Sequence, residues 1–519
     1  MKRLNLTIFL LTMACWYCTI PIHASEYKEP NFDYASIFSD GAYTQLRSGV
    51  TLKNINKIPD AILKQLATDL LNNTYNADFR VTDYRPYQNP SVMAKINKTS
   101  TYSLRDNPTG IYVEAEDEVL ILVEDLKGQE ISMIVQDLSV GYGKSESYPL
   151  NEGCNRIKVT SGGLIYIQNL TDDNITLIPR NQAEKDAITA KTVRIHFVFG
   201  KVNGYFDSQQ HSSNDWIRIL NNAKYKDIDV VGRYAHITWT ADAFVKYNTD
   251  IILQLENYDR LVYLQQVFMG LEKYGRMFNN RMYFHVDYNG KSPYASAYRT
   301  AYTPGYGEVL CNPARFGARL WGPAHEVGHI NQTRPGFRWA GMTEVSNNLH
   351  TLYIQQEFGQ PCKLLVENLY DKATQAIIDA QQPHCLNNAG NEFILKLVPI
   401  WQLKLYLIEA KGQTDFFKDL YEYYRVTDDI DTSEATDGIL QLDFVRQVCR
   451  ISGYNLLDFF DKWGFLRPVD KELNDYRKRK FTITQPQIDA LISEIQSAGY
   501  AIPNADIHKI TDSNIETYK

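Results

Sequence analysis

Two histidines and a glutamate stand at a spacing that suits metal-assisted hydrolysis. Residues 321–332 read WGPAHEVGHINQ, and the pattern HExxH lies within them as His325, Glu326 and His329. Because residues i and i+4 share one face of a helix, both imidazoles can reach a single metal ion. Zn²⁺ accepts two histidines and a carboxylate and keeps a fourth position for water, from which Glu326 could take a proton. The pattern therefore predicts a catalytic centre with one Zn²⁺ and Glu326 as general base.

A second helix is expected to bring the third ligand. Glu344 follows His329 by 15 residues, with the turn signal Arg-Pro-Gly at 334–336 between them. This interval leaves room for a turn and a helix packed against the first, so Glu344 is the predicted third ligand. His350 is the alternative, and it would need a different turn.

Further polar and aromatic residues near these ligands are candidates for supporting roles. Asn347 and Asn348 follow Glu344 by three and four residues and could hold the ligands in place or contact substrate. Trp339 lies between the two helices in sequence and could stack on a sugar ring. A group that stabilises the oxyanion is also expected, and only geometry can assign it. The residues considered for that role are His350, Tyr353, Tyr298 and Arg299.

The two helical segments resemble a known family. Residues 321–332, followed by WAGMTEVSNN at 339–348, are similar to the enhancin-like, mucin-degrading metallopeptidases of peptidase family M60. Weaker likeness at 107–113, 162–167 and 459–465 extends the resemblance over roughly residues 105–470. The resemblance implies a gluzincin, in which HExxH is followed by a glutamate after a variable gap. It also implies cleavage of O-glycosylated, mucin-type glycoproteins.

The remaining chain predicts a multidomain α+β protein. Short strand-like runs at about ten-residue spacing, separated by glycine turns, predict a β-sandwich module over residues 105–190. Helical periodicity dominates afterwards, and a mostly α-helical, gluzincin-type zinc metallopeptidase domain is expected over 191–519. A helical and loop module is expected over 25–104. Predicted helices include 251–274, 321–332 and 341–358.

The N-terminus has the features of an export signal. Lys2 and Arg3 precede an apolar run, and a small-residue site predicts cleavage after Ala24, so residues 1–24 are interpreted as a signal peptide. Cys15 and Cys18 near the end of that run leave a lipoprotein as the alternative. No later segment is apolar enough to span a membrane. The expected protein is therefore secreted or attached to the cell surface.

The charge of the chain bears on its binding partners, and its cysteine count bears on disulfide pairing. With 54 Lys+Arg against 61 Asp+Glu, the formal net charge is −7, which argues against nucleic acid as the main partner. Five cysteines follow residue 24, so at least one lacks a partner within the chain, and a Cys362–Cys385 bridge is an open possibility. Two other functions remain open: a glycan-binding adhesin with a non-catalytic zinc site, and a peptidase with no glycan requirement.

Overall fold

The computed structural model describes residues 32–385, 390–432 and 436–519, and side chains are described throughout these ranges except at 390–392. The predicted signal peptide lies outside the described residues. No helix in the described ranges is both long and apolar enough to cross a bilayer. The first hundred residues contribute three described α-helices: α1 (Leu52–Ile55), α2 (Ala61–Leu71) and α3 (Pro90–Asn97), the last of which follows the first two strands.

Two antiparallel sheets then pack face to face. Their strands are β1 (Val81–Tyr84), β2 (Tyr87–Gln88), β3 (Pro108–Val113), β4 (Glu118–Val123), β5 (Ile131–Gln136), β6 (Glu146–Leu150), β7 (Gly153–Lys158), β8 (Gly163–Thr171), β9 (Val193–Phe197) and β10 (Lys201–Val202). One sheet has the order β1-β9-β4-β7 and the other β10-β3-β8-β5-β6, with the short β2 added alongside β8. Alternate residues such as Ile121 and Ile165 point between the sheets and form a buried core. Helix α4 (Gln182–Lys191) connects β8 to β9.

The sandwich takes strands from both sides of the predicted module. Strand β1 precedes residue 105 and β9 follows residue 190, yet β9 pairs with both β1 and β4. These strands are separated from the rest by helices, so their local pattern does not show that they join the sheets. The division of the chain at residues 104 and 190 stays a prediction.

A third sheet, of six strands, is formed by residues 206–302, which follow the sandwich in the chain. Its strands are β11 (Phe206–Asp207), β12 (Asp227–Val231), β13 (Ala235–Thr240), β14 (Met282–Val286), β15 (Tyr294–Ser296) and β16 (Arg299–Tyr302), in the order β11-β12-β13-β14-β16-β15. The accompanying helices are α5 (Ser213–Asn222), α6 (Ala241–Tyr247) and α7 (Ile251–Phe268). The sequence did not indicate this sheet, because α5 separates β11 from β12, and α6 and α7 separate β13 from β14, so the strands do not recur at a short, regular spacing.

Helices make up most of the remaining chain. They are α8 (Gly307–Cys311), α9 (Pro313–Ala318), α10 (Trp321–Asn331), α11 (Thr343–Glu357), α12 (Lys363–Val366), α13 (Leu369–Ala373), α14 (Leu397–Leu403), α15 (Phe416–Val426), α16 (Gly438–Ser452), α17 (Leu457–Lys462) and α18 (Gln485–Ser497). Wider π turns at Thr374–Asp379 and Lys404–Ala410 extend α13 and α14. One β-hairpin interrupts this series, formed by β17 (Val469–Asp475) and β18 (Arg477–Ile483).

The predicted fold class is confirmed: a sheet-rich N-terminal part precedes a largely helical domain. The predicted helices over 321–332 and 341–358 are α10 and α11. The helix predicted over 251–274 ends earlier, at Phe268, because Gly270 adopts φ +74° beside the backbone of Lys418. The hairpin β17–β18 was not predicted.

Candidate metal centre

Buried polar side chains form hydrogen bonds with the core-facing side of helix α10, which carries HExxH. The buried Gln265 of α7 donates to the carbonyl oxygen of Ala324 at 2.8 Å and accepts a hydrogen bond from Asn331 at 2.9 Å. Tyr102, from the N-terminal part of the chain, donates to the other side of Asn331 at 2.9 Å. These bonds satisfy polar groups that burial would otherwise leave unpaired, and they fix the rotation of α10 about its axis.

A close crossing brings α11 against α10. An added Cβ at Gly328 would lie 2.5 Å from the carbonyl oxygen of Asn347, so the two backbones approach at a point where a larger residue does not fit. Gly328 is one of the two variable positions of HExxH. The small residue there lets the helix that carries Glu344 reach the two histidines.

The three predicted ligands converge. The Nε2 atoms of His325 and His329 lie 3.2 Å apart, and Oε2 of Glu344 lies 3.2 and 3.4 Å from them. Donors around a tetrahedral zinc ion with bonds of 2.0–2.1 Å are separated by about 3.3 Å. In the described part of the chain this is the one group of three His, Cys, Asp or Glu residues that could hold a metal. The donor types and spacings therefore fit a zinc ion.

Amide side chains orient both imidazoles towards this point. Nδ1 of His325 lies 2.8 Å from Oδ1 of Asn348, whose Nδ2 donates to the carbonyl oxygen of Glu344 at 2.8 Å. Nδ1 of His329 lies 3.2 Å from Oε1 of Gln332. Because both amide oxygens are acceptors, each Nδ1 carries the proton and each Nε2 keeps a lone pair for a metal.

Gln332 is a supporting residue that sequence reasoning missed. Its Nε2 donates to the carbonyl oxygen of Thr343 and to Oγ of Ser346, both at 2.7 Å, which leaves Oε1 for His329. Gln332 directly follows α10, and the turn after it decides where its side chain points. An amide three residues after the second histidine was the only available signal.

Glu326 is buried beside the ligand cluster. Only 6% of its surface is exposed. Burial raises the pKa of Glu326, and the nearby His325 and His329 partly oppose this effect. For Glu344 of the metal-free cluster, burial would raise the pKa, but hydrogen bonds from the imidazoles of His325 and His329, when these are protonated, outweigh it and hold this pKa well below the ordinary value. The pKa values of Glu326 and Glu344 are therefore shifted in opposite directions.

The hairpin β17–β18 supports the start of α11. Oδ2 of Asp475 accepts hydrogen bonds from the backbone nitrogen of Gly341 and the hydroxyl of Thr343, both at 2.8 Å. The residue before α11, Met342, has no side chain that can cap the helix, and Asp475, distant in sequence, accepts a hydrogen bond from the backbone N–H of Thr343, the first residue of α11, at 3.4 Å. At the hairpin tip, the Tyr476 hydroxyl donates to Oε1 of Glu344. The hairpin thus contacts the predicted ligand directly.

The two other residues predicted to support the site or contact substrate, Asn347 and Trp339, lie in different surroundings. Asn347 is fully buried, with Nδ2 3.0 Å from Nε2 of His329, and so lies against the cluster. Trp339 is 1% exposed and packs against Phe444, so the structure places it in the core, where its ring cannot stack on a sugar.

The alternatives considered for ligand or oxyanion roles have other partners. His350 lies fully buried, 3.0 Å from the Tyr421 hydroxyl, and does not join the metal-binding group. Tyr353 stacks on Phe268, and the guanidinium of Arg299 lies over the ring of Tyr142. Tyr298 lies between β15 and β16, where its backbone nitrogen donates to Thr101.

None of the described cysteines belongs to the metal-binding group. Cys311, Cys362, Cys385 and Cys449 carry free thiols, so the possible Cys362–Cys385 bridge is not formed. Burial raises the pKa of the Cys385 thiol to about 11 and that of Cys449 to about 12. Thiols in this state are poor nucleophiles and poor metal ligands at neutral pH.

Comparison with protein families gives two matches. Residues 202–464 match the family described as peptidase M60, enhancin and enhancin-like, and residues 74–177 match the N-terminal domain of M60-like peptidases. The first match contains α10 and α11, and the hairpin β17–β18 lies beyond its end. No curated protein matches the chain at a significant level.

Solved structures share the fold over most of the chain. A metallopeptidase from Bacteroides thetaiotaomicron is 26% identical, with a TM-score of 0.79 over 92% of this chain and 80% of its own. A metallopeptidase in complex with Tn antigen is 25% identical, with a TM-score of 0.73 over 85% of this chain and 81% of its own. The M60 catalytic domain of Clostridium perfringens ZmpC, in complex with the sialyl T antigen, shares the fold at 18% identity and a TM-score of 0.65, over 84% and 82%.

Proposed function

This chain belongs to the M60 peptidases, enhancin and enhancin-like, and from that membership we propose that it cleaves O-glycosylated, mucin-type glycoproteins outside the cell. As a member it is a zinc metallopeptidase, a hydrolase of peptide bonds. The proposal adds the substrate, the residue roles and the location. The observation that carries the roles is the convergence of His325, His329 and Glu344 beside the buried Glu326.

The proposed ligands of a single Zn²⁺ are Nε2 of His325, Nε2 of His329 and the Glu344 carboxylate. When bound, zinc polarises the scissile carbonyl and makes water a stronger nucleophile at neutral pH. The chain's own residues prepare the ligands: Asn348 and Gln332 hold the imidazole protons on Nδ1. Glu344 is ionised at neutral pH, as a carboxylate ligand must be, because a glutamate ordinarily has a pKa of about 4.3.

Glu326 is the proposed general base. Its carboxylate takes a proton from the attacking water and then delivers it to the leaving amine. Burial favours this cycle because it raises the proton affinity of the carboxylate above that of an exposed glutamate. Glu344 could not exchange a proton as readily, since its pKa is shifted in the opposite direction.

The glycoprotein substrate is supported by a related enzyme. The metallopeptidase solved with Tn antigen, an O-linked sugar epitope, matches this chain over 85% of its length at 25% identity. Secretion is supported by the N-terminal sequence, in which a basic start, an apolar run and a small-residue site precede position 25.

Paired substitutions test the roles. Glu326→Gln keeps the size of the side chain but removes the base, so we expect zinc to remain bound by elemental analysis while cleavage is lost. Glu344→Gln should instead lose zinc. Undiminished proteolysis by the Glu326→Gln protein would disprove the assignment of the base.

A substrate panel tests the specificity. Mucin, de-O-glycosylated mucin and casein are each incubated with the enzyme, with and without a chelator. Chelator-sensitive cleavage of intact mucin alone supports the proposal. Cleavage of casein alone would indicate a general peptidase, and binding of mucin without cleavage would indicate an adhesin.

A further inference from the structure

A cleft of about 470 Å³ opens next to the metal-binding cluster and is lined mainly by arginines. Arg334 and Arg338 come from the turn between α10 and α11, and Arg477 and Arg479 come from β18. The cleft adjoins the site at two points. Tyr476, in its wall, donates to Glu344, and Nη2 of Arg334 lies 3.3 Å from the carbonyl oxygen of His329.

The positive charge of this cleft is largely uncompensated. Arg479 pairs with Asp437, whereas Arg334, Arg338 and Arg477 form no ion pair with any described residue. Asp475 also lines the cleft, and its carboxylate offsets part of the charge of Arg338 while its Oδ2 accepts hydrogen bonds at the start of α11. Partial burial and the nearby Arg338 lower the pKa of Arg334 to about 10. Four arginines against two acids, Asp475 in the lining and Asp437 beside Arg479, leave an excess of positive charge here, in a chain whose net charge is −7.

The tip of the hairpin is held in an unfavourable backbone conformation at the same place. Tyr476 has φ +60°, which is rare for a bulky residue, and 79% of its surface is exposed. Strained residues of this kind persist where the surroundings over-determine them, often at binding sites. Here the conformation places the hydroxyl on Glu344 and the ring at the edge of the cleft.

We propose that this cleft binds a carboxylate of the substrate close to the bond that is cleaved. The guanidinium fork matches the geometry of a carboxylate, and three of the guanidiniums here form no ion pair with a described residue. The inference rests on the proposed function, since it concerns the substrate of the same site. The anion can come from an acidic sugar on the glycan or from an acidic side chain of the peptide.

Three synthetic peptides of one sequence separate these sources. The first carries a neutral O-linked sugar, the second the same sugar extended by sialic acid, and the third the neutral sugar with an aspartate beside it. We measure kcat/KM for the wild type, for Arg477→Gln and for Lys478→Gln. Lys478 is the matched control: it neighbours Arg477 on β18, loses the same charge, pairs with Glu472 and does not line the cleft.

The wild type should prefer one anionic peptide over the neutral one, and added salt should weaken the preference. Arg477→Gln should lower the ratio of anionic to neutral kcat/KM about fivefold, the upper range for an exposed ion pair. The peptide that loses rate identifies the source of the anion. Lys478→Gln should keep the wild-type ratio. A wild-type ratio of one, or an equal fall in both variants, would overturn the inference.

Binding makes the test independent of turnover. Dissociation constants of the three uncleaved peptides are measured with Glu326→Gln, alone and combined with Arg477→Gln. If the neutral peptide is cleaved in a chelator-sensitive manner but no anionic preference is found, the proposed function stands and the cleft inference fails. If no peptide is cleaved but binding of an anionic peptide depends on Arg477, the cleft inference stands and the proposed function fails.

Discussion

Replacing Gly328 with alanine puts a methyl group into the closest contact between the two helices of the metal centre. That methyl would start 2.5 Å from the carbonyl oxygen of Asn347, and Cβ contacts below 3.0 Å are essentially never seen. The helices must therefore separate by at least about 0.5 Å. Because His325 and His329 belong to one helix and Glu344 to the other, this separation acts directly on the ligand set.

The size of the effect follows from the contacts that cross this interface. The bond between His325 and Asn348 is 2.8 Å long, and the added separation brings it to about 3.3 Å, near the limit for a hydrogen bond. Overpacking costs about 1–3 kcal/mol, and the better helix propensity of alanine returns about 1 kcal/mol. We therefore expect a loss of about 0–2 kcal/mol in the free energy of unfolding. Zinc affinity should fall about 10- to 100-fold, as when outer-shell partners are lost.

Gly322→Ala is the matched control. Gly322 belongs to the same helix, but an added Cβ there meets nothing closer than Tyr306 at 3.9 Å. This variant should be as stable as the wild type or more stable by up to about 1 kcal/mol, with unchanged zinc affinity. Zinc affinity is measured by competition with a chromogenic chelator, and stability by urea unfolding of the metal-free protein. If Gly328→Ala binds zinc as tightly as Gly322→Ala, the close crossing does not set the ligand geometry.

Three further outcomes are expected. Asn348→Leu removes the acceptor for Nδ1 of His325 and should weaken zinc binding about 10- to 100-fold by chelator competition; unchanged affinity would contradict the orienting role. Asp475→Ala removes the cap of α11 and should cost about 1 kcal/mol in urea unfolding, whereas the exposed Asp470→Ala on the same strand should cost less than about 0.5 kcal/mol. Acid should destabilise the protein, because burial lowers the pKa of three histidines to about 3: the stability they contribute is present above pH ~6.5 and lost as pH falls towards 3, by roughly 2 kcal/mol each at pH 5. The three histidines are His285, His350 and His384. Equal free energies of unfolding at pH 7 and pH 5 would contradict this prediction.

Local sequence patterns were sufficient to predict the elements whose structure depends on residues close together in the chain. The i, i+4 spacing of HExxH and the periodicity of two segments predicted α10 and α11, and the structure brings Glu344 to both histidines. The ligand roles themselves stay a prediction. Likewise, glycine turns between short apolar runs indicated the sandwich, because most of its strands follow one another with only short turns between them.

Contacts between distant parts of the chain could not be predicted in this way. Tyr476 contacts Glu344 across 132 residues, and no local signal marks a tyrosine at a hairpin tip as the neighbour of a metal ligand. Gln332 was visible beside the motif, but its role depends on hydrogen bonds to Thr343 and Ser346 after a turn. Trp339 shows the opposite case: its position between the helices suggested a sugar contact, and core packing against Phe444 determines its place instead.

The hairpin also determines when the enzyme can become competent during its own synthesis. Both helices of the metal centre leave the ribosome more than a hundred residues before Asp475 and Tyr476, which cap α11 and contact Glu344. Until then the N-terminus of α11 lacks its cap and Glu344 lacks one of its hydrogen bonds. A nascent chain therefore carries every residue of the HExxH motif without a fully supported centre. The last contacts of the metal-binding group therefore form only after most of the protein has been made.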